Sequence, residues 1–279
     1  MVNKSFIQTL VAYCSILSLL AVILVSAVAG QGNNTQICMT RNQVIVGATL
    51  LYAADNNDRL VPIMSGAWEN TCTGTTYLAQ LLLPYHNDWL NYRCPADANA
   101  EGALTQDICH GGVTRSYTRE QQFATWSMLA HRGYNYMFLA PITDRTISYP
   151  VNQSQIADLS NTIMYMDSIW DRNAFGEPTG GGNWGVDPPC IRDENGSLIP
   201  PFPPGYTVYY HFGGWSLHPQ AGGQYGYNWP WHSETFVGVM ADGTARRFTL
   251  QNLLQGCNVQ TNFAGRVTNM KAYLWDIYE

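Results

Sequence analysis

The side chains in this chain with the most chemistry to offer are its cysteines and histidines. There are seven Cys and six His in 279 residues. Cys38, Cys72, Cys94, Cys109, Cys190 and Cys257 are even in number and scattered, with no C-x-x-C pair. Structural zinc sites usually draw on close ligand pairs, so the spacing does not point to zinc, and no metal or cofactor is expected. In an exported chain, six spread cysteines read as up to three disulfides, with fifteen pairings open. The seventh, Cys14, sits in an apolar run as a small packing residue. None of His86, His110, His131, His211, His218 and His232 belongs to an H-x-x-x-H or H-x-x-E-H pattern. His232 is followed by nine residues and then Asp242-Gly243. That pair could act as ligands or as a catalytic couple. The simpler reading has His232 hydrogen-bonding at the base of a hairpin and Asp242 set by turn chemistry. No G-x-S-x-G, Walker loop or dinucleotide fingerprint occurs, so no enzyme is expected. Asp55, Asn57 and Asp58 could hold calcium, but a helix-ending turn explains them as well. Trp215, Tyr225, Trp229 and Trp231 could stack on sugars or pack with one another.

Composition narrows the partners. Charged residues make up 12% of the chain, about half the usual share of roughly 25%. Net charge is −6. Phosphate backbones demand clustered Lys and Arg, so nucleic acid is excluded. Aromatic residues reach 13%, which suits protein or sugar contacts outside the cell. Asn33, Asn152 and Asn195 open N-x-S/T sequons and mark candidate glycosylation loops.

These residues must be positioned by elements, and the first is unusual. Residues 5–40 contain no Asp, Glu, Lys or Arg, and Phe6 to Ala29 is apolar. About 20 such residues cross a bilayer as a helix. A cleaved signal peptide (Ala27-Val28-Ala29 before Gly30), a plain anchor and a filament-core helix all fit such a run. Glycines near residues 30–34 predict a kink, because glycine costs roughly 1 kcal/mol against alanine in a helix. Helix then resumes with an apolar stripe at Ile37, Val44, Ala48 and Leu51, and stops at Asp55-Asn56-Asn57-Asp58. Tyr77–Tyr85 reads as a short helix ended by Pro84. Gln121–Ala130 reads as another helix, Gly133–Phe138 as a strand start and Thr162–Ser168 as a strand. Residues 171–230, rich in Gly, Pro, Trp and Asn, read as a long loop at an interface. Thr235–Ala241 and Thr244–Leu250 flank Asp242-Gly243, which predicts a hairpin with a type I′ turn. An amphipathic tail spans Gly265–Tyr278.

Taken in order, Cys38, Ala48–Asp55, Arg59-Leu60-Val61-Pro62, Leu83-Pro84-Tyr85 with Trp89, Arg93-Cys94-Pro95-Ala96-Asp97, Gly133-Tyr134-Asn135-Tyr136, Asn161–Ser168 and the signature His232, Asp242, Gly243 form a pattern. It resembles the bacterial type IV pilin-like or pseudopilin-like proteins whose heads carry His, nine residues, then Asp-Gly. The leader differs from that family: Ser5 stands in place of the cleavage glycine and the early glutamate is absent. The resemblance implies an α+β fold in which a long N-terminal hydrophobic helix lies on a small antiparallel sheet with long disulfide-braced loops. It implies a stem over 1–58 and a head over 59–279. Phe6, Leu10, Ile16, Leu20, Ile23 and Val28 would form the filament core. The implied function is a structural subunit of an extracellular pilus-like or pseudopilus filament, held in the inner membrane as a precursor. Its partners would be copies of itself and the pilus or secretion assembly machinery. The alternative is a membrane-anchored or secreted glycan-binding module.

Overall fold

The computed structural model describes residues 34–66, 74–100, 119–143, 147–199, 214–216 and 224–278. Helix α1 spans Asn34–Asp55. It ends where the Asn/Asp cluster was expected to end it. Asn57 and Asp58 take φ of 57° and 68°, the left-handed conformation that short polar side chains tolerate.

The expected long hydrophobic helix on the sheet is not what the structure contains. The helix that lies there is α1, in which Thr35, Gln36, Thr40, Arg41, Asn42 and Gln43 interrupt the apolar residues. Among the described residues no helix is long and apolar enough to cross a membrane. The stretch 6–29 lies outside the described residues. The stripe on α1 is also rotated. Its buried residues are Thr35, Cys38, Asn42, Ile45, Val46, Ala48, Thr49 and Ala53, while Leu51 is 43% exposed.

The central sheet has four antiparallel strands in the order β10-β9-β6-β3. Their ranges are β3 Arg132–Tyr134, β6 Ile163–Asp167, β9 Phe236–Met240 and β10 Ala245–Phe248. β6 and β9 are buried at every residue, so both faces are covered. Side chains alternate between the faces with period two. One face turns Tyr165, Asp167 and Val237 toward α1: the Tyr165 hydroxyl meets Thr49 Oγ1 at 2.7 Å, and Val237 packs with Cys38 and Cys94. Three further two-stranded pairs flank the sheet: β1 Met64–Ser65 with β2 Thr76–Tyr77, β4 Ile142–Thr143 with β5 Ile147–Ser148, and β7 Trp215–Ser216 with β8 Gln224–Tyr225.

Helix α2, Leu78–His86, contains Pro84 within its last turn and stops at Asn87, in the left-handed region at φ 55°. Proline was expected to end this helix. The helix instead carries Pro84 inside it, without an N–H for the carbonyl of Gln80, and ends two residues later. Helix α3, Arg119–Met128, matches expectation. β3 turns at Asn135 into a single helical turn, α4, Tyr136–Leu139, so the strand expected over 133–138 ends early. A short α5, Leu250–Leu253, follows β10 and is capped by the Thr249 hydroxyl.

The expected 171–230 loop is interior only in its middle, while its described residues 171–179 and 192–199 are exposed or half-buried. Residues 181–190 are all buried. Tyr134 N–H donates to Trp184 O and Val186 N–H to Tyr134 O, so this segment extends the sheet beyond β3. A Cβ on Gly182 would lie 2.2 Å from His131 Cα, so glycine is what lets the two backbones approach. The C-terminal tail forms one 3₁₀ turn, Met270–Ala272, and is otherwise irregular. Tyr273, Trp275 and Ile277 are buried, and Asn135 Nδ2 donates to both Trp275 O and Ile163 O.

Candidate functional site

Four residues that the sequence places far apart converge under the N-terminal half of α1. Cys38 comes from α1, Cys94 from the turn after the 3₁₀ segment Trp89–Tyr92, Asp167 from the end of β6, and His232 from the approach to β9. Their ligand-type atoms lie within 4.8 Å of one another and all four residues are buried. A fifth, Arg132, joins them through register: Arg132 and Asp167 are cross-strand partners on β3 and β6, so their side chains share a face.

The contacts close on one another. Arg132 Nη1 donates to Asp167 Oδ1 at 2.5 Å, and Nη2 donates to Cys38 Sγ and to Arg93 O, both at 3.2 Å. Asp167 Oδ2 accepts the Val237 N–H at 2.9 Å and faces His232 Nε2 at 3.3 Å. His232 Nε2 is 3.4 Å from Cys94 Sγ, and its Nδ1 is 3.3 Å from Thr35 Oγ1. Cys38 and Cys94 are not bonded, and their sulfurs stand 3.0 Å apart.

The electrostatics follow from this packing. The Cys38 thiol is pulled well down, first by the facing Cys94 S–H and then by the Arg132 guanidinium, against the effect of burial. The Cys94 thiol is pushed up by burial and by Cys38. Burial also raises Asp167, although His232 and Arg132 oppose it. Burial lowers the His232 imidazole, but the hydrogen bond to Asp167 and the neighbouring Cys38 outweigh it and lift it to about 9. Arg132 stays charged because Cys38 and Asp167 more than offset its desolvation.

His232 is held by an unusual turn. His232 and Thr235 form an isolated bridge, and the two residues between them, Ser233 and Glu234, have φ of 51° and 64°. Positive φ at both central positions is the type I′ requirement. The turn at Asp242-Gly243 is of a different kind. Gly243 N–H donates to Met240 O, Met240 N–H donates to Thr244 O, and within the loop only Gly243 has positive φ, at 88°. That is a three-residue loop with a bulged glycine, which corrects the expected type I′ turn. Asp242 accepts from Thr244 through both carboxylate oxygens. His232 and Asp242 lie at opposite ends of β9, so they form no couple. The partner of His232 is Asp167.

The other candidates separate clearly. Cys190 and Cys257 form a disulfide that ties the long loop to the C-terminal segment. Cys72, Cys109, Asn33 and the six filament-core candidates lie outside the described residues. Asn195 is exposed on a tight turn and Asn152 is half-buried. Asp58 Oδ2 accepts from the Ser154 backbone N–H and hydroxyl, and Asp55 Oδ2 accepts from the Tyr85 hydroxyl, so structural bonds engage both carboxylates. Among the aromatic residues, Trp215 is 1% exposed and donates to Asp187 O. Trp231 donates to Ser168 O, and Trp229 lies under the Arg172 guanidinium.

A second buried pair supports the first. Asp97 Oδ2 receives His131 Nε2 at 2.8 Å and the Gly181 N–H at 2.7 Å, while Oδ1 receives the Asn99 N–H. Burial raises Asp97, but His131 and these donors hold it below the usual carboxylate range. The Cys94-to-Asp97 turn is thus fixed at both ends. Sequence reasoning singled out Cys38, Cys94, Asp167 and His232 within separate motifs and missed Arg132 altogether. A search for closely spaced ligands could not have joined residues contributed by four elements. No protein-family model, curated protein or solved structure matches the chain.

Proposed function

We propose that this chain is a structural subunit of an extracellular filament of the type IV pilus or pseudopilus kind. The described α+β unit is its outer head, and the uncharged run 6–29 is the means by which copies associate. Before assembly that run keeps the chain at the inner membrane, where assembly machinery takes it up. Outside lipid, an apolar surface of that size has to be covered, and repeated head-to-tail contacts between identical chains give open helical fibres.

The observation that carries this reading is that the chemically capable residues are closed on one another. Cys38, Cys94, Arg132, Asp167 and His232 are 0–4% exposed. The apolar cleft lined by Trp89, Tyr92, Trp126 and His131 contains none of the five. A cluster that offers no room to a substrate suits a fastening role better than a reaction. The interior placement of Trp215 and the backbone bond made by Trp231 weigh against a sugar-binding platform. Mass spectrometry of the mature N-terminus tests the proposal. A start upstream of Phe6 or at it keeps the apolar run and agrees with the reading. A start near Gly30 removes it and overturns the reading.

A further inference from the structure

We propose that Cys38 and Cys94 are the two halves of a second disulfide, closed after export, which fastens the N-terminal turns of α1 to the Arg93–Asp97 turn. The first support is geometric. The two sulfurs are 3.0 Å apart, within about 1 Å of a bond length of about 2.05 Å. The second is chemical surroundings. The Cys190–Cys257 disulfide places the chain among proteins of oxidising compartments, where two facing thiols do not stay reduced. The third is the absence of competing use. The same four side chains could be read as a zinc site, but tetrahedral zinc with Zn–S of about 2.3 Å holds two sulfurs about 3.8 Å apart. Both oxygens of Asp167 already accept hydrogen bonds, from Arg132 and from Val237. The Arg132 guanidinium also lies 3.2 Å from Cys38 Sγ, where a metal cation would meet a like charge.

Closure runs through a mixed disulfide on Cys38 or, with the roles exchanged, on Cys94. The oxidant is an external disulfide, either a small molecule or a thiol-oxidase protein. The Cys38 thiolate attacks one donor sulfur, a mixed disulfide forms and a donor thiolate leaves. The Cys94 sulfur then attacks Cys38 and expels the second donor sulfur, which departs as a thiol carrying the Cys94 proton. Two protein thiols are oxidised and one donor disulfide is reduced to two thiol equivalents. Cys38 and Cys94 are 0% and 1% exposed, so a donor reaches them only while the start of α1 is undocked. Closure is therefore coupled to the docking of α1. Once closed, the bond leaves Arg132 and Asp167 as a neutral pair beneath it.

The test is disulfide mapping of the full chain recovered from the cell exterior without reductant. Free thiols are alkylated in denaturant before digestion, and metal content is measured on the same sample. A Cys38-to-Cys94 cross-linked peptide, with both residues alkylated only after reduction, is the expected result. Alkylation of both residues before reduction, linkage of either one to another cysteine, or stoichiometric zinc with both thiols recovered free would each overturn the proposal. A Cys38→Ser variant adds a check that does not depend on the native fold. Under the same denaturing conditions Cys94 should become alkylated without reductant, and a Cys94 that stays blocked would contradict the pairing.

Discussion

Replacing Arg132 with methionine keeps much of the side chain's bulk and removes the guanidinium. Arg132 is 0% exposed and supplies donors to Asp167, Cys38, Arg93 O and His131 O. Breaking a buried ion pair from one side typically costs about 3–5 kcal/mol. Asp167 keeps the Val237 N–H and His232, and burial already raises its pKa. These remaining partners put the loss at the lower end, about 3 kcal/mol. At about 2–4 °C per kcal/mol for a domain of this size, Tm should fall by roughly 6–12 °C. The loss should deepen as pH rises. A carboxyl whose folded pKa lies above its unfolded value contributes stability at low pH and loses it on titration through the folded pKa. Thermal unfolding followed by circular dichroism between pH 5 and 8 reads both effects. Asp167→Asn should cost a comparable amount, because it strands Arg132. The double variant Arg132→Met/Asp167→Leu should recover much of the loss, since an apolar pair of similar volume is often neutral. If both single variants lose under about 1 kcal/mol and their effects simply add, the cluster is not the fastening argued here.

Three further outcomes follow from individual sites. Asp276 is buried, its Oδ2 meets no hydrogen-bond partner among the described residues, and burial pushes it up to about 7. Its stabilising contribution is complete below about pH 4 and lost as pH rises through 7, at most about 4 kcal/mol at 1.36 kcal/mol per pH unit. Asp276→Asn should flatten that part of the stability-against-pH curve, and an unchanged slope would contradict the assignment. Ser233→Asn with Glu234→Gly supplies the residues that a type I′ turn prefers where φ is 51° and 64°. Urea denaturation should show a gain of about 1 kcal/mol, and a loss would mean the side chains hold the turn. Gly182→Ala, with its Cβ driven against His131 Cα at 2.2 Å, should cost about 1–3 kcal/mol or more. Gly243→Ala, with nothing within 4 Å and φ of 88°, should cost only about 1 kcal/mol of backbone strain. Parallel melts that reverse this order would contradict the packing described for residues 181–190.

Local chemistry in the sequence located several elements well. The Asn/Asp cluster after Ala54 stops α1 because it tolerates left-handed backbone, and strands did form on both sides of Asp242-Gly243. Features set by distant partners were hidden. The buried face of α1 includes Thr35, Asn42 and Thr49, polar residues that an apolar-stripe reading assigns to solvent. Thr49 is inside because Tyr165, more than a hundred residues away, offers its hydroxyl. The turn types were exchanged: Asp-Gly makes the bulged loop, while Ser233-Glu234, without a glycine to announce it, makes the turn with two positive φ angles. Cys38, Cys94, Asp167 and His232 were each visible as motif residues. Their meeting depends on strand order and register, which local spacing does not encode. Arg132 carried no signal, since a lone arginine before a glycine looks like any other until β3 pairs it with Asp167.

Electron microscopy of the native product recovered from the cell surface tests the filament reading most directly. Helical fibres whose outer shell accommodates the α+β head are the predicted result. Monodisperse single particles, from preparations in which the mature chain retains residues 6–29, would contradict it.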